Sequence, residues 1–151
     1  MTHAPPGYDC PFCRAIGRLG TPASVDDAVV LVAARVIALV PLHHWGKTKG
    51  NCLIIPKQHV ENLYALDPGL GVDLIRATQR LAMAMKGAFG CAGISTRQHN
   101  EPAGNQDVWH FHLHVFPRFP DDDLYGAPKL PYDQMERRAL AARLRLALPI
   151  E

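Results

Sequence analysis

The stretch Trp109-His110-Phe111-His112-Leu113-His114-Val115-Phe116 constrains this chain more than any other. Three histidines alternate with apolar residues there. That is the two-residue repeat of a β-strand, in which successive side chains leave on opposite faces. The pattern predicts that all three imidazoles line one face, roughly 6.5–7 Å apart. Trp109, Phe111, Leu113 and Val115 would then anchor the other face in a core. A row of imidazoles at that spacing can line a phosphate-sized site or hold a metal.

Such a strand needs neighbours, and the sequence supplies them. Residues 28–32 and 36–40 are rich in β-branched side chains and are joined by the short link Ala33-Ala34-Arg35, so they read as a hairpin. Residues 51–56 and 94–98 read as two more strands. Between them, 42–50 reads as a polar loop, and 99–105 as a Pro/Gly/Asn loop that enters the histidine strand through Gln106. A short helix is expected within 14–19 and a single helical turn within 60–66. The main helix opens at Pro68, carries Leu70, Leu74, Ile75, Leu81, Met85 and Phe89 near a 3.6-residue repeat, and stops at Gly90 or Gly93. Residues 1–9 read as a mobile arm, 21–27 as a loop, and 124–131 as a Pro-rich segment after Asp121-Asp122-Asp123. The last helix, 132–148, is expected to bury Met135, Leu140, Leu144 and Leu148. Mixed strands and helices with short links fit an α+β fold built on an antiparallel sheet. At 151 residues and 48% hydrophobic, the chain is expected to form a single domain with its own core.

The remaining composition narrows partners and compartment. A net charge of +2 gives no broad nucleic-acid footprint. The most apolar stretch, 28–42, is broken by Arg35 and falls short of the roughly 18 apolar residues of a membrane span. The start, Met1-Thr2-His3-Ala4, lacks the basic and apolar regions of a secretory signal, so a cytoplasmic location is expected. There, Cys10-x-x-Cys13 suggests metal or redox chemistry rather than a disulfide. No thioredoxin-like βαβ pattern surrounds the pair, which weakens the redox reading. His59 and His110 are candidates to complete a closed, structural Cys₂His₂ zinc site; two ordinary reduced thiols are the plain alternative. Cys52 and Cys91 stand in apolar surroundings and read as core.

A neutral imidazole is a good nucleophile toward phosphorus near pH 7. It needs its other ring nitrogen bonded to an acceptor, which fixes tautomer and aim. His112, flanked on both sides, is the best nucleophile candidate. His114 would bond phosphate oxygens or protonate the leaving group, and Gln106 with nearby backbone N–H groups would stabilise phosphoryl charge. Two other readings of the row stay open: zinc ligation, and hydrogen bonding within a core. Trp45, His43 and His44 could stack on a base, and Lys47, Lys49 and Lys57 could attract a polyphosphate or simply face water.

The pattern His110-Phe-His112-Leu-His114-Val-Phe, followed by Pro117-Arg118, closely resembles the signature of the histidine triad (HIT) family. Leu53-Ile-Ile-Pro56-Lys57-Gln-His59 looks like that family's strand and Pro-Lys-x-His element, and Cys10-Pro-Phe-Cys13 like the N-terminal pair of many bacterial members. Asn100, Gly104 and Gln106 lie in the matching loop. The likeness spans residues 10–118 in family order and leaves the C-terminal helix outside. It implies a HIT-like α+β fold, with a mostly antiparallel sheet of about five strands and two main helices, usually in a homodimer. It implies hydrolysis or transfer of nucleotidyl groups from nucleoside phosphoramidates or dinucleoside polyphosphates, through a covalent nucleotidyl-histidine. Carried over by residue, His112 is the nucleophile, His114 a phosphate contact, Gln106 a phosphate-positioning group, and Asn100 or His99 a support. In zinc-containing members the ligands would match Cys10, Cys13, His59 and His110.

The chain departs from the family at three places. Gly50-Asn51 stands where many members have Gly-His; Asn51 can exchange hydrogen bonds with a substrate but cannot carry a proton. Pro41-Leu42-His43-His44 lacks the carboxylate that bonds ribose hydroxyls. Asn105 and Asp107 stand where Gly and a small hydroxyl residue are common, and an Asp there repels phosphate unless it points away or bonds a histidine. The rival readings are a non-catalytic nucleotide-binding module with an idle triad, and a zinc hydrolase that uses the triad as ligands.

Overall fold

The structure, a computed structural model, describes residues 2–20 and 28–150; the loop expected at 21–27 lies outside the described residues. The chain runs through α1 (Pro11–Gly17), β1 (Val29–Val32), β2 (Val36–Leu39), β3 (His43–Trp45) and β4 (Cys52–Pro56). A 3₁₀ turn at Leu63–Ala65 precedes α2 (Pro68–Phe89). β5 (Gly93–Gln98), β6 (Leu113–Arg118), β7 (Lys129–Pro131) and α3 (Gln134–Ala147) complete it. Five strands form one sheet in the order β1-β2-β4-β6-β5, with every neighbouring pair antiparallel. The α+β expectation and the predicted hairpin hold.

Local chemistry sets the helix ends. The Asp67 side chain accepts from Leu70 N at 3.0 Å, Pro68 opens α2, and Gly90 closes it in the left-handed region at φ 62°. Between those ends α2 buries Leu70, Leu74, Ala77, Leu81, Ala84 and Met85. Ile75, expected on that face, is exposed, because it lies about 100° around the helix from Leu74.

Both sheet faces are covered. α2 and α3 pack over Val36, Ala38, Ile54 and Val115, while Phe12, Ile16 and Leu19 at and beyond α1 pack over Ile37, Leu39, Leu53 and Ile55. Near-continuous burial of β2 and β4 follows from this double cover. On α3 the buried pair is Ala141 and Leu144, whereas Met135 is 78% exposed. The expected stripe was wrong at its start: Met135 precedes Leu144 by two and a half turns and so points the opposite way. Gly50, at φ 92°, cannot be replaced cheaply, since a Cβ there would run into the Phe89 ring.

Two further expectations change. The segment 42–50 is not all loop, because β3 pairs with β7 in a second, two-stranded sheet, with His43, His44 and Trp45 opposite Pro131, Leu130 and Lys129. The histidine strand is shorter than its alternating pattern. Ladder pairing begins only at Leu113, opposite Ile54 on β4 and Gln98 on β5. Upstream, β4 ends at Pro56, which has no N–H to offer and whose carbonyl is taken by the His110 ring. Phe111 N bonds Val60 O instead.

Candidate functional site

The three imidazoles do not share one environment. His114 sits in β6, opposite Leu53 of β4 and Arg97 of β5. It stacks on Phe116 at 5.6 Å and meets the edge of Trp45, which β3 brings in, at 5.8 Å. His112 lies beside it, ring centroids 5.1 Å apart, with Phe12 of α1 against its other side at 5.3 Å. His110 turns instead toward the N-terminal cysteines.

His112 is 4% exposed, and its Nδ1–H donates to the His110 carbonyl at 2.8 Å. That bond assigns the proton to Nδ1 and leaves the Nε2 lone pair free, with the Asp107 carboxylate 3.9 Å away. Burial lowers the His112 pKa, so the ring stays neutral near pH 7 with its Nε2 lone pair unprotonated. Burial, then the neighbouring His112 and Arg97, press His114 to about 2, and it too stays neutral. Its Nδ1 is buried and has no hydrogen-bond partner among the described residues.

A pocket of about 370 Å³ opens on both rings. One wall is apolar, with Phe12, Leu39, Leu42 and Leu53; Asp107, Lys129 and Arg137 stand at its polar parts. A second hollow of about 240 Å³ shares Trp45, Asp107, His114 and Lys129 with the first and adds Arg97 and His99. Lys129 Nζ pairs with Asp107 at 3.3 Å, so the acidic residue faces a cation as well as His112. His43 and Trp45, read as possible base contacts, both line the larger pocket. Lys49 pairs with Glu136 on α3 and Lys47 reaches Asp121 O, so neither lines either hollow.

The other predicted residues fall around this centre. His99 lines the smaller hollow, its Nδ1 donating to Gly104 O at 2.6 Å. The Gln106 amide is spent within its own loop: Nε2 donates to Glu61 O and Val108 O, and Oε1 accepts from Glu101 N. Asn100 accepts from Leu63 N at 2.7 Å and bonds Gln98, bracing the loop from outside. Asn51 is fully buried; Nδ2 donates to His43 O, and Oδ1 accepts from the Tyr132 hydroxyl, which in turn accepts from Gly50 N. None of the three lines either hollow.

Three cationic residues in the walls were not singled out from sequence. Lys129 opens a three-residue strand, Lys129-Leu130-Pro131, which carries no pattern of its own. Arg137 lies on a helix expected only to pack, yet its Nε bonds Val40 O and Pro41 O at the pocket rim. Arg97 lies on β5, whose burial does not alternate, so the sequence offered no signal for it.

Cys10, Cys13, His59 and His110 bring one donor atom each to within 4.8 Å of one another, a set that could hold a metal. His110 Nε2–H donates to Pro56 O at 3.0 Å, leaving the Nδ1 lone pair aimed at Cys10 Sγ (3.3 Å) and Cys13 Sγ (3.6 Å). His59 Nδ1 lies 3.2 Å from Cys13 Sγ. Burial lowers the His110 pKa to about 4 and, with the Cys10 thiol beside it, raises Cys13 to about 11; a cation would offset the thiol's cost. Of the three triad rings only His110 belongs to this set. Among the described residues, the triad therefore does not act together as a ligand group.

Comparison with known proteins agrees with this geometry. The HIT domain model matches residues 24–121. "Protein hit" of Bacillus subtilis is 31% identical over 119 residues, covering 79% of this chain and 77% of its own. Adenosine 5'-monophosphoramidase hnt1 of Schizosaccharomyces pombe is 25% identical over 138 residues, 89% of this chain and 95% of its own. A crystal structure of a Zn-bound histidine triad family protein from Mycobacterium smegmatis superposes with a TM-score of 0.72 at 26% identity, covering 91% of this chain and 94% of that one. With the triad, the preceding loop and the Cys/His cluster placed as described, the chain belongs to the HIT domain family.

Proposed function

We propose that this chain is a nucleotidyl hydrolase or transferase acting on nucleoside phosphoramidates or dinucleoside polyphosphates. The observation that carries the reading is the His112 Nδ1–H bond to the His110 carbonyl at 2.8 Å. It presents an unprotonated Nε2 to the pocket without a separate base. Attack forms an Nε2–P bond and breaks the bond from phosphorus to the leaving group, which departs with the electron pair, a phosphate as its anion and an amine with a proton taken from solvent. Water then attacks phosphorus, the N–P bond returns its pair to His112, and the proton of water passes to solvent. His114, neutral and adjacent, contacts the phosphoryl oxygens through its ring N–H. The apolar wall of Phe12, Leu39, Leu42 and Leu53 takes the base, and His43 is the polar group available to ribose in place of the absent carboxylate. A relative named as an adenosine 5'-monophosphoramidase supports the substrate class.

Gln106 is given a supporting part. It fixes the loop that carries Asp107 and Val108 to the pocket, so its backbone, not its occupied amide, shapes the phosphate site. Asn100 and Asn51 act in the same way, through the loop and through Tyr132.

The Cys10, Cys13, His59 and His110 set is proposed to hold one structural zinc. Thiolate and imidazole suit zinc, a closed four-ligand set suits a structural role, and a Zn-bound relative supports the choice. Keeping two thiols reduced for that purpose accords with a cytoplasmic setting; no helix among the described residues is long and apolar enough to cross a membrane. A homodimer completes the reading, supported by β5 as a sheet edge and by the exposed apolar residues Val72, Ile75 and Met83 on α2.

One observation favours a second reading, a nucleotide-binding module without turnover: the Asp107 carboxylate stands 3.9 Å from the attacking nitrogen. The deciding experiment compares wild type with His112→Ala on adenosine and guanosine phosphoramidates and dinucleoside tri- and tetraphosphates. Turnover lost in the variant, with a nucleotidyl adduct on the wild-type chain by intact mass, supports the enzyme. Nucleotide binding with neither turnover nor adduct supports the module.

A further inference from the structure

The hollow beyond His114 has a character the apolar pocket lacks. Its walls include Arg97, Lys129, His99 and Asn105, with Asp107 the acidic residue among them. Two fixed cations against one carboxylate leave it net positive. Both cations are built in. The Arg97 guanidinium lies 5.0 Å from the Trp45 ring and 5.0 Å from the Phe116 ring, and Lys129 Nζ stands 5.7 Å from the Trp45 ring. The two rings, edge to face at 5.6 Å, hold the guanidinium without neutralising it. Arg97 Nε is buried and has no hydrogen-bond acceptor among the described residues, and the His114 Nδ1 across the β5–β6 pair is in the same condition. Arg97 and His114, each with a buried nitrogen that lacks a protein partner, both line the basic hollow, where an acceptor-rich ligand would meet unspent donors. An amine leaving group would gain nothing there and would be repelled once protonated.

We propose that Arg97 and Lys129 make this hollow an anion subsite, so that the preferred substrates release a phosphate-bearing group rather than an amine. The proposal rests on nucleotidyl transfer by His112 and deepens it: the phosphorus under attack sits between the apolar pocket and the basic hollow. As the N–P bond forms and the P–O bridge breaks, the bridging oxygen keeps the electron pair and gains negative charge beside Arg97. The substrate class selected is the nucleoside polyphosphates and dinucleoside polyphosphates.

Binding of a nucleoside triphosphate against the matched monophosphate, titrated into the full chain by calorimetry, tests this without chemistry. Wild type is expected to bind the triphosphate at least tenfold more tightly, and Arg97→Met to bring that ratio below threefold. Arg97→Lys restores most of it, and Lys129→Met lowers it independently should Arg97→Met fail to fold. A wild-type ratio near one, or a ratio unmoved by Arg97→Met and Lys129→Met, overturns the subsite. The two proposals fail separately. An Arg97-dependent ratio in a chain with no turnover keeps the subsite and removes the enzyme. Turnover through a His112 adduct with an Arg97-independent ratio does the reverse.

Discussion

The His110 carbonyl accepts the Nδ1–H of His112 at 2.8 Å, while the His110 ring faces Cys10 and Cys13. One residue thus joins the Cys/His set to the proposed nucleophile, by its ring on one side and its backbone on the other. The His110 ring is held a second time by Pro56 O, so the carbonyl keeps its place even when one thiol is lost.

That double hold predicts how Cys10→Ser behaves. Zinc content is expected to fall well below one per chain. Stability should drop by about 3 kcal/mol, roughly 6–12 °C in Tm for a chain of this size. Activity per folded molecule falls less, within about tenfold, because the His112 tautomer is fixed by the backbone. Metal analysis, thermal unfolding and kcat on the folded fraction check the three parts. Wild-type protein purified without chelator that contains no zinc would contradict the first.

The relation between Asp107 and Lys129 predicts a charge effect on substrate binding. Asp107 is mostly exposed, lies 3.3 Å from Lys129 Nζ and 3.9 Å from His112 Nε2. Removing its charge frees Lys129 and takes a repulsive group away from an incoming phosphate. Asp107→Asn is expected to lower KM for polyphosphate substrates about three- to tenfold, an effect that shrinks in salt. Stability should change by less than about 0.5 kcal/mol, as for other exposed positions. A raised KM would show that the carboxylate takes part in orienting His112.

Much of the centre was legible from spacing alone. His112 and His114 alternate into β6, and Cys10 and Cys13 come together at the start of α1, because short-range patterns survive folding; the convergence of His59 and His110 on that pair is long-range. The α2 start at Pro68 and its stop at Gly90 were legible for the same reason, while the Asp67 cap was not. Lys129 was not, and Trp45 was legible only as a loop residue, since β3 and β7 are three-residue strands that become strands only by finding each other across most of the chain. The divergence of His110 from its two neighbours was also hidden. It depends on Pro56 ending the β4 ladder, a tertiary fact that the alternation does not contain.

Asn51, where the family resemblance places a histidine, predicts a structural cost rather than a lost proton relay. Its side chain joins His43 O to the Tyr132 hydroxyl, which accepts from Gly50 N, and the whole chain of bonds is buried or nearly so. Asn51→Ala is expected to cost about 2–3 kcal/mol and Tyr132→Phe about 1–2 kcal/mol, because each leaves buried partners unsatisfied. The double variant should cost less than the sum by about 1 kcal/mol, the mark of a shared network. Urea unfolding of the four proteins measures the coupling. Additive losses would mean that the two groups act apart.

The acid limb of stability is predicted by Asp122, the middle residue of the acidic run. Its side chain is 1% exposed and accepts from Arg118 Nε and Nη2 at 2.7 Å each, from Phe119 N at 2.9 Å and from Leu124 N at 3.1 Å. The Arg118 hydrogen bonds, then those from the backbone, hold its carboxyl far below the usual range in the folded chain, although burial opposes them. A carboxyl depressed on folding stabilises the fold fully above its unfolded pKa of about 3.9, and that share is lost as pH falls toward the folded value. Asp122→Asn is therefore expected to cost about 2–4 kcal/mol at pH 7, since it leaves a partly buried guanidinium without its counter-charge. The gap between variant and wild type should be constant from pH 7 to about 5 and narrow steadily below about pH 4. Urea unfolding of both proteins across that range gives the gap directly. One that stays constant down to pH 3 would mean that the Arg118–Asp122 pair contributes shape and not charge.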